Sequence, residues 1–162
     1  MELEFRVYSE TSRGKSMSKM IHYVSKREGN SLKYMTKDSA GVDLCVLEPV
    51  VILPRQMEMV NTGVSVSIPV GHAGLLFPRS SLSVKKGLML MNSICLIDSD
   101  YRGDIQCILW NSGTGTVRLE AGERIAQLVV IPVAQYDWVK AAALDMTERG
   151  TGGFGSTGGY QS

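Results

Sequence analysis

Two aspartates and a tyrosine lie close together near the middle of the 162-residue chain, in the stretch CLIDSDYRGDI. Asp98 directly follows the apolar residues CLI, and Asp100 and Tyr101 come within the next three positions. A carboxylate fixed at the rim of a pocket can orient a water molecule and accept its proton. The alternative is a surface turn, in which Asp, Ser and Gly are ordinary residues. Asp100 fits such a turn better than a catalytic role.

Three other stretches carry residue types that bind phosphate or metal ions. SAGVDL places Asp43 after a turn of small residues, where a carboxylate could contact a magnesium ion or one of its waters. PRSSL offers a phosphate the guanidinium of Arg79, the hydroxyls of Ser80 and Ser81, and successive backbone N–H groups. Ser80 could instead cap a short helix in SLSVKKG. GERIAQL puts Gln127 near the start of an apolar strand, with a charged β-turn as the alternative.

The last fourteen residues, RGTGGFGSTGGYQS, are rich in glycine and contain Arg149 and Phe154. One interpretation is a flexible tail. The other is a lid that becomes ordered when a nucleotide binds. Glycines let backbone N–H groups approach a ligand, an arginine binds phosphate, and a phenylalanine stacks on a base.

The elements that must position these residues are mainly strands. VSVSI and LEFRVYS alternate in hydrophobicity, whereas VVIL, AGLLF, IQCILW and QLVVIPV are short apolar runs separated by turn clusters. Many short strands of this kind predict an all-β sandwich, barrel or jelly roll. A helix is predicted in SMSKMIHYVSKREG, where Met17, Met20, Ile21 and Val24 share one helical face and Gly29 ends it. A shorter helical turn is predicted in SLSVKKG.

Composition narrows the classes of function. Lys plus Arg number 17 and Asp plus Glu 16, and a net charge of +1 argues against a general affinity for nucleic acid or membrane surfaces. The N-terminus MELEFRVYSE is too charged for a secretory signal, and no apolar run approaches the ~20 residues of a membrane span, so an intracellular, soluble protein is expected. Cys45, Cys95 and Cys107 are too irregularly spaced for a disulfide framework or a zinc site, which favours small buried side chains.

Taken in order, these stretches resemble the five motifs of the all-β deoxyuridine triphosphatase (dUTPase) family. AGVDL is similar to the first motif, PRSSL to the second, LIDSDYRGDI to the third, GERIAQL to the fourth and RGTGGFGSTG to the fifth. The resemblance runs from about Lys33 to Gly158. It implies a distorted jelly roll that assembles as a homotrimer. Residues 1–146 would form the β domain, with an atypical N-terminal insertion at 11–30, and residues 147–162 a glycine-rich, nucleotide-covering lid.

The resemblance also implies an activity, the hydrolysis of dUTP to dUMP and pyrophosphate with Mg2+. Such a reaction limits uracil incorporation into DNA and supplies dUMP for thymidylate synthesis. Asp98 is implied to orient and deprotonate the water that attacks the α-phosphorus, and Asp43 to contact a magnesium-bound water. Tyr101 is implied to pack against the deoxyribose and to reject a 2′-hydroxyl.

The implied substrate-binding residues all lie in or beside the five motifs, and in the family each site draws on three subunits. They are Arg79, Ser80, Ser81, Asn92, Ile97, Tyr101, Gln127, Arg149, Phe154, Gly155, Ser156 and Thr157. The residues of the second and fourth motifs would line the triphosphate, while the hairpin of the third would contact uracil. Arg149 would reach the γ-phosphate and Phe154 would stack over the base.

Two residues depart from the usual motifs. Ser81 stands where the second motif commonly has glycine, and it would be strained if that position needs a positive φ. Cys95 stands where the third motif usually has glycine, and its side chain would either narrow the uracil pocket or point into the core. A dCTP deaminase of the same fold and a non-catalytic trimeric scaffold are the alternatives to dUTP hydrolysis.

Overall fold

A computed structural model describes residues 20–153, which form eleven strands and one short helix. The elements in chain order are β1 His22–Ser25, β2 Val42–Cys45, β3 Val50–Ile52, β4 Met57–Asn61, β5 Val64–Ser67, β6 His72–Pro78, α1 Ser80–Lys86, β7 Leu88–Leu90, β8 Cys95–Ile97, β9 Gln106–Asn111, β10 Val117–Leu119 and β11 Arg124–Pro132. The predicted strands VSVSI, VVIL, AGLLF, IQCILW and QLVVIPV are confirmed as β5, β3, β6, β9 and β11. LEFRVYS lies outside the described residues.

The strands pair antiparallel in an order that differs from their order in the chain. A four-stranded sheet has the order β2-β11-β6-β8, and a three-stranded sheet has the order β4-β9-β7. Two further pairs, β1-β5 and β10-β3, complete the pairing among the described residues. Alternate residues of these strands form one buried apolar core that includes Leu44, Leu76, Leu109 and Ile125. The predicted all-β fold is therefore confirmed.

The prediction of a helix in SMSKMIHYVSKREG is wrong for the part that the structure describes. Residues His22–Ser25 form β1, which pairs with β5 from His22 opposite Ser67 to Ser25 opposite Val64. Tyr23 and Val24 suit a strand, and β5 offers them a row of backbone hydrogen-bonding groups. A helical spacing over so few residues is too weak to compete with this pairing. Met17 lies outside the described residues.

The short helix predicted in SLSVKKG is confirmed as α1, but Ser80 does not cap it. Arg79 is the N-cap residue and makes no side-chain capping bond, while Gly87 ends the helix in the left-handed region at φ 63°. Ser81 lies within the helix and has no positive φ, so the strain considered for it does not arise. Cys95 packs against the core, which resolves the direction of its side chain.

The cysteines behave largely as the sequence predicts. All three are free, Cys107 is buried, and Cys45 and Cys95 are partly buried. Burial raises the pKa of the Cys107 thiol to about 12, so this thiol stays protonated and unreactive at neutral pH. Within residues 20–153, no helix has the length and apolar composition needed to cross a bilayer.

Asn111 is a fully buried polar residue that ties the end of β3 to the loop after β9. Its Nδ2 donates to the carbonyl oxygens of Ile52 (3.0 Å) and Gly115 (2.8 Å), and its Oδ1 accepts from the Gly113 N–H (3.0 Å). We expect Asn111→Ala to lower the free energy of unfolding by about 2–4 kcal/mol, because it leaves the carbonyl of the buried Ile52 unpaired and removes two further hydrogen bonds. Urea unfolding at one fixed protein concentration measures the change.

The matched control for Asn111→Ala is Gln106→Ala, which truncates an exposed side chain on the same strand. We expect this control to change the unfolding free energy by less than about 0.5 kcal/mol. Equal losses in the two variants would contradict the role given to the Asn111 hydrogen bonds.

Candidate active site

Residues from the first, second and fourth motif-like stretches converge on the carboxylate of Asp43. Its Oδ1 lies 3.1 Å from Arg79 Nε and 3.5 Å from Gln127 Nε2, and its Oδ2 lies 2.9 Å from Arg124 Nη1. The side chain of Asp43 is only 9% exposed. We call these four residues the Asp43 cluster.

Strand register explains why the Asp43 cluster forms. Gln127 on β11 lies opposite Asp43 on β2 on one side and opposite Phe77 on β6 on the other. Arg79 follows the last residue of β6, so it reaches the same end of the sheet. A register irregularity between Arg124 and Ala126 changes the local alternation of side chains. The three strands therefore deliver two guanidinium groups to one carboxylate.

Two clefts flank the Asp43 cluster, and Arg79 and Arg124 line both of them. The smaller cleft has a volume of about 230 Å³, and the larger one a volume of about 320 Å³. The larger cleft also contains Ser81, Lys85 and Lys86. Cationic side chains therefore exceed carboxylates around it, although Glu123 pairs with Lys86 at 2.6 Å. A concave surface with this charge suits an anion that carries several phosphates.

The hairpin after β8 carries Asp98 at an exposed position. The carbonyl oxygen of Asp98 accepts from the Tyr101 N–H at 3.2 Å, which closes the turn DSDY. The Tyr101 hydroxyl donates to the carbonyl oxygen of Asp104 at 2.9 Å, and 43% of the residue remains exposed. Asp98 and Tyr101 are therefore both accessible to a ligand.

The Asp43 cluster and the Asp98 hairpin lie far apart within one chain. Ile97 lies opposite Gly74 on β6, so Asp98 lies one position beyond the level of Gly74. Gln127 and Asp43 lie at the level of Phe77, which is four positions from the level of Asp98 along β6. Three strand spacings also separate β2 from β8 in the sheet. At about 3.3 Å per residue and 4.8 Å per strand, the separation is roughly 20 Å. One described chain does not bring these two groups together.

The remaining predicted residues are distributed along the chain. Asn92 is exposed in the turn before β8, next to Ser93 with φ 59°, and Ile97 is the buried last residue of β8. Ser80 is exposed at the start of α1. Arg149 is exposed, and its carbonyl oxygen accepts from the Gly152 N–H at 3.0 Å. The four tail residues Phe154, Gly155, Ser156 and Thr157 lie outside the described residues.

Arg124 and the two helix lysines were not predicted as site residues. Arg124 lies in the same stretch as Gln127, and its guanidinium contacts Asp43 as closely as that of Arg79 does. The spacing of Arg124 and Gln127 is an odd number of residues, so strict strand alternation places them on opposite faces. The signal that could have found Arg124 is its place in the same motif as Gln127, which was predicted to bind phosphate.

Comparison with known proteins places this architecture in one family. The family model described as dUTPase matches residues 27–158. The chain belongs to the dUTPase family. The match covers the Asp43 cluster, the Asp98 hairpin and part of the glycine-rich tail.

Curated dUTPase relatives and solved dUTPase structures agree with this assignment. Deoxyuridine 5'-triphosphate nucleotidohydrolase of Acinetobacter baumannii is 47% identical over 128 residues, which cover 77% of this chain and 85% of the relative. The enzyme of Hahella chejuensis is 41% identical over 145 residues, which cover 86% of this chain and 95% of the relative.

Two solved dUTPases share the fold. The dUTPase of Staphylococcus bacteriophage 80alpha with dUPNHPP superposes with a TM-score of 0.80 at 28% identity, over 87% of this chain and 99% of that one. The dUTPase of Streptococcus mutans superposes with a TM-score of 0.68 at 37% identity, over 73% of this chain and 98% of that one. The family assignment made from the five motif-like stretches is confirmed.

Proposed function

We propose that this chain hydrolyses dUTP to dUMP and pyrophosphate, and so limits uracil incorporation into DNA while supplying dUMP for thymidylate synthesis. The cationic clefts beside the Asp43 cluster carry the proposal, in a chain that belongs to the dUTPase family. They offer a polyphosphate two guanidinium groups, two lysines and serine hydroxyls. The exposed Asp98 supplies the base that the reaction needs.

Asp98 acts as the general base of the proposed reaction. Its carboxylate orients a water molecule and takes the proton as the water oxygen bonds to the α-phosphorus. The bond from the α-phosphorus to the α–β bridging oxygen breaks, and pyrophosphate leaves with the bonding electrons. Arg79, Ser80, Ser81 and Gln127 bind the triphosphate, and Arg79 stabilises the charge that develops on the leaving group.

Asp43 fits a magnesium ion that is held mainly by the substrate. Residues 20–153 contain no group of three or more His, Cys, Asp or Glu side chains that could hold a metal ion alone. Both oxygens of Asp43 already pair with arginines, Arg79 and Arg124, so a contact through a metal-bound water suits Asp43 better than direct coordination. Mg2+ prefers oxygen ligands and usually binds through one or two carboxylates plus substrate phosphates. The ion neutralises phosphate charge when bound, and Asp43 would hold one of its waters.

Removal of magnesium should abolish pyrophosphate release, and Asp43→Asn should raise the Mg2+ concentration that gives half-maximal activity by about tenfold. The substitution removes one negative charge near the metal, and a single charge-assisted hydrogen bond is worth roughly that factor. Activity titrations with Mg2+ after chelation measure the shift. The control is Asp38→Asn, an exposed carboxylate five positions earlier. An unchanged Mg2+ requirement in Asp43→Asn would contradict the role of Asp43.

The site is completed between subunits of a homotrimer. Support comes from the separation of roughly 20 Å between the Asp43 cluster and the Asp98 hairpin within one chain. The segment after β11 also carries large apolar side chains in the open, since Trp138 and Met146 are each 98% exposed. Contiguous exposed apolar side chains usually mark a surface that another chain covers. A second copy of this chain is the occupant that the family assignment favours.

The tail covers the bound nucleotide in this proposal. Arg149 reaches the γ-phosphate, Phe154 stacks on uracil, and Gly155, Ser156 and Thr157 donate to the phosphates. The hairpin after β8 reads the base through its backbone, with Ile97 and Asn92 beside it, and Tyr101 packs against the deoxyribose. Hydrogen bonds from a pocket wall that lies close to the base discriminate between similar nucleotides better than an apolar pocket does.

The decisive experiment follows pyrophosphate release from dUTP, dTTP, dCTP and UTP in parallel, with and without Mg2+. We expect rapid, magnesium-dependent release from dUTP alone. Ammonia release from dCTP would replace the proposal with a deaminase of the same fold. A folded protein that releases nothing from any of the four nucleotides would be a non-catalytic scaffold.

A further inference from the structure

Asp104 lies at the base of the Tyr101 hairpin, and three elements hold its carboxylate. Its Oδ2 accepts from Lys26 Nζ at 2.6 Å and from Asn61 Nδ2 at 3.1 Å, and its Oδ1 accepts from Ser65 Oγ at 3.1 Å. Lys26 follows β1, Asn61 ends β4 and Ser65 lies in β5. The hydrogen bond from Lys26, followed by that from Asn61, lowers the pKa of Asp104 below its usual range. We call these four residues the Asp104 clamp.

The Asp104 clamp is connected to the Tyr101 ring through the backbone. The Tyr101 hydroxyl donates to the Asp104 carbonyl oxygen at 2.9 Å. The ring crosses Gly103 so closely that a Cβ at that position would collide with the Tyr101 hydroxyl. Ile105, the next residue, is fully buried, and its N–H donates to the Val64 carbonyl at 2.8 Å. The backbone that anchors the hydroxyl is therefore fixed on both sides of the carbonyl.

We propose that Asp104 is a positioning residue, which holds the Tyr101 ring in place and thereby sets the discrimination between deoxyribose and ribose nucleotides. The inference rests on the proposed function, in which Tyr101 contacts the sugar. A ring excludes a 2′-hydroxyl only if it cannot recede, and sites of this kind need their groups held to within about 0.5 Å. The Asp104 clamp supplies that support from outside the nucleotide site.

The inference also gives the N-terminal segment a role. Lys26 lies within residues 11–30, the segment interpreted above as an atypical N-terminal insertion. Pairing of β1 with β5 brings Lys26 to Asp104. The backbone N–H of Lys26 donates to the Gly63 carbonyl at 2.8 Å, so the start of its side chain is fixed as well. The Lys26 side chain is 60% exposed, so solvent screens its ion pair with Asp104.

The test compares the ratio of kcat/KM for dUTP to kcat/KM for UTP in wild type, Asp104→Asn and Lys26→Met. We expect the ratio to fall about tenfold in Asp104→Asn and about threefold in Lys26→Met, with most of the change in the UTP value. Tyr101→Phe, which keeps the ring but removes its anchored hydroxyl, should lower the ratio in the same direction. Lys26→Arg should keep the ratio close to that of wild type, because an arginine preserves the ion pair that Lys26→Met removes.

Lys33→Met is the matched control for Lys26→Met, because Lys33 is an exposed lysine seven positions later in the chain. We expect this control to keep the wild-type ratio. Unchanged ratios in both Asp104→Asn and Lys26→Met would overturn the inference, and so would a wild type that hydrolyses UTP as readily as dUTP. If Asp104→Asn does not fold, Lys26→Met and Lys26→Arg decide the outcome.

A second readout does not depend on turnover. In protein with 13C-labelled tyrosine rings, the Tyr101 signal is assigned by its loss in Tyr101→Phe. We expect this signal to shift and to show faster ring motion in Asp104→Asn and Lys26→Met, but not in Lys33→Met. A wild type that does not hydrolyse dUTP would refute the proposed function, whereas an unchanged Tyr101 signal in both clamp variants would refute the positioning role.

Discussion

Asp98→Asn should lower kcat for pyrophosphate release from dUTP by about 1,000-fold or more. An asparagine has nearly the same shape as an aspartate and can still bind water, but it cannot accept the proton of that water. General base catalysis contributes about 100-fold to 10,000-fold, and the position of the nucleophile adds to this. Nucleotide affinity should change by less than about threefold, because Asp98 contacts the water rather than the phosphates. Single-turnover kinetics and calorimetric binding of dUPNHPP measure the two effects separately.

The matched control for Asp98→Asn is Asp100→Asn, in the same hairpin and with the same change of charge. Asp100 is exposed and was predicted as a turn residue, so we expect kcat to stay within about twofold of wild type. A kcat for Asp98→Asn above one tenth of wild type would exclude Asp98 as the base. Equal losses in both variants would indicate that the negative charge of the hairpin matters rather than one proton acceptor.

Two inactive variants should regain activity when they share a trimer. Arg79→Gln removes a guanidinium of the Asp43 cluster, and Asp98→Asn removes the base, so each variant alone should be nearly inactive. If a site takes Arg79 from one subunit and Asp98 from another, random mixing leaves both residues intact in about a quarter of the sites. Refolding an equimolar mixture should therefore restore about a quarter of the wild-type kcat. Pyrophosphate release and light scattering on the same sample measure activity and subunit number.

A second mixture separates shared sites from sites within one chain. Wild type refolded with an equal amount of the double variant Asp98→Asn, Arg79→Gln should show about a quarter of the activity of the same total amount of pure wild type if sites are shared, and about half if they are not. The two single variants, Arg79→Gln and Asp98→Asn, should show no recovery of activity when they are mixed as preformed oligomers, until the oligomers exchange subunits. A mixture of the two single variants that stays inactive, with oligomers of normal size, would contradict the shared site.

Much of the fold follows from local patterns. Alternation in VSVSI and apolar runs such as AGLLF predicted strands that the structure contains, because side chains of period two bury one face of a sheet. SLSVKKG predicted α1, with Gly87 at the left-handed position that ends it. The prediction was wrong for β1, where pairing with β5 outweighed a weak helical spacing.

By itself, the sequence determined which short stretches carry the chemistry and which family the chain belongs to, because each motif is a local run of residue types. Only the tertiary structure showed that Arg124 joins Arg79 on Asp43, and that Lys26 reaches Asp104 from 78 residues away. Both contacts depend on strand register and on which strands become neighbours. Pairing between distant strands is decided by the energy of the whole sheet and core, and no local spacing of residues encodes it.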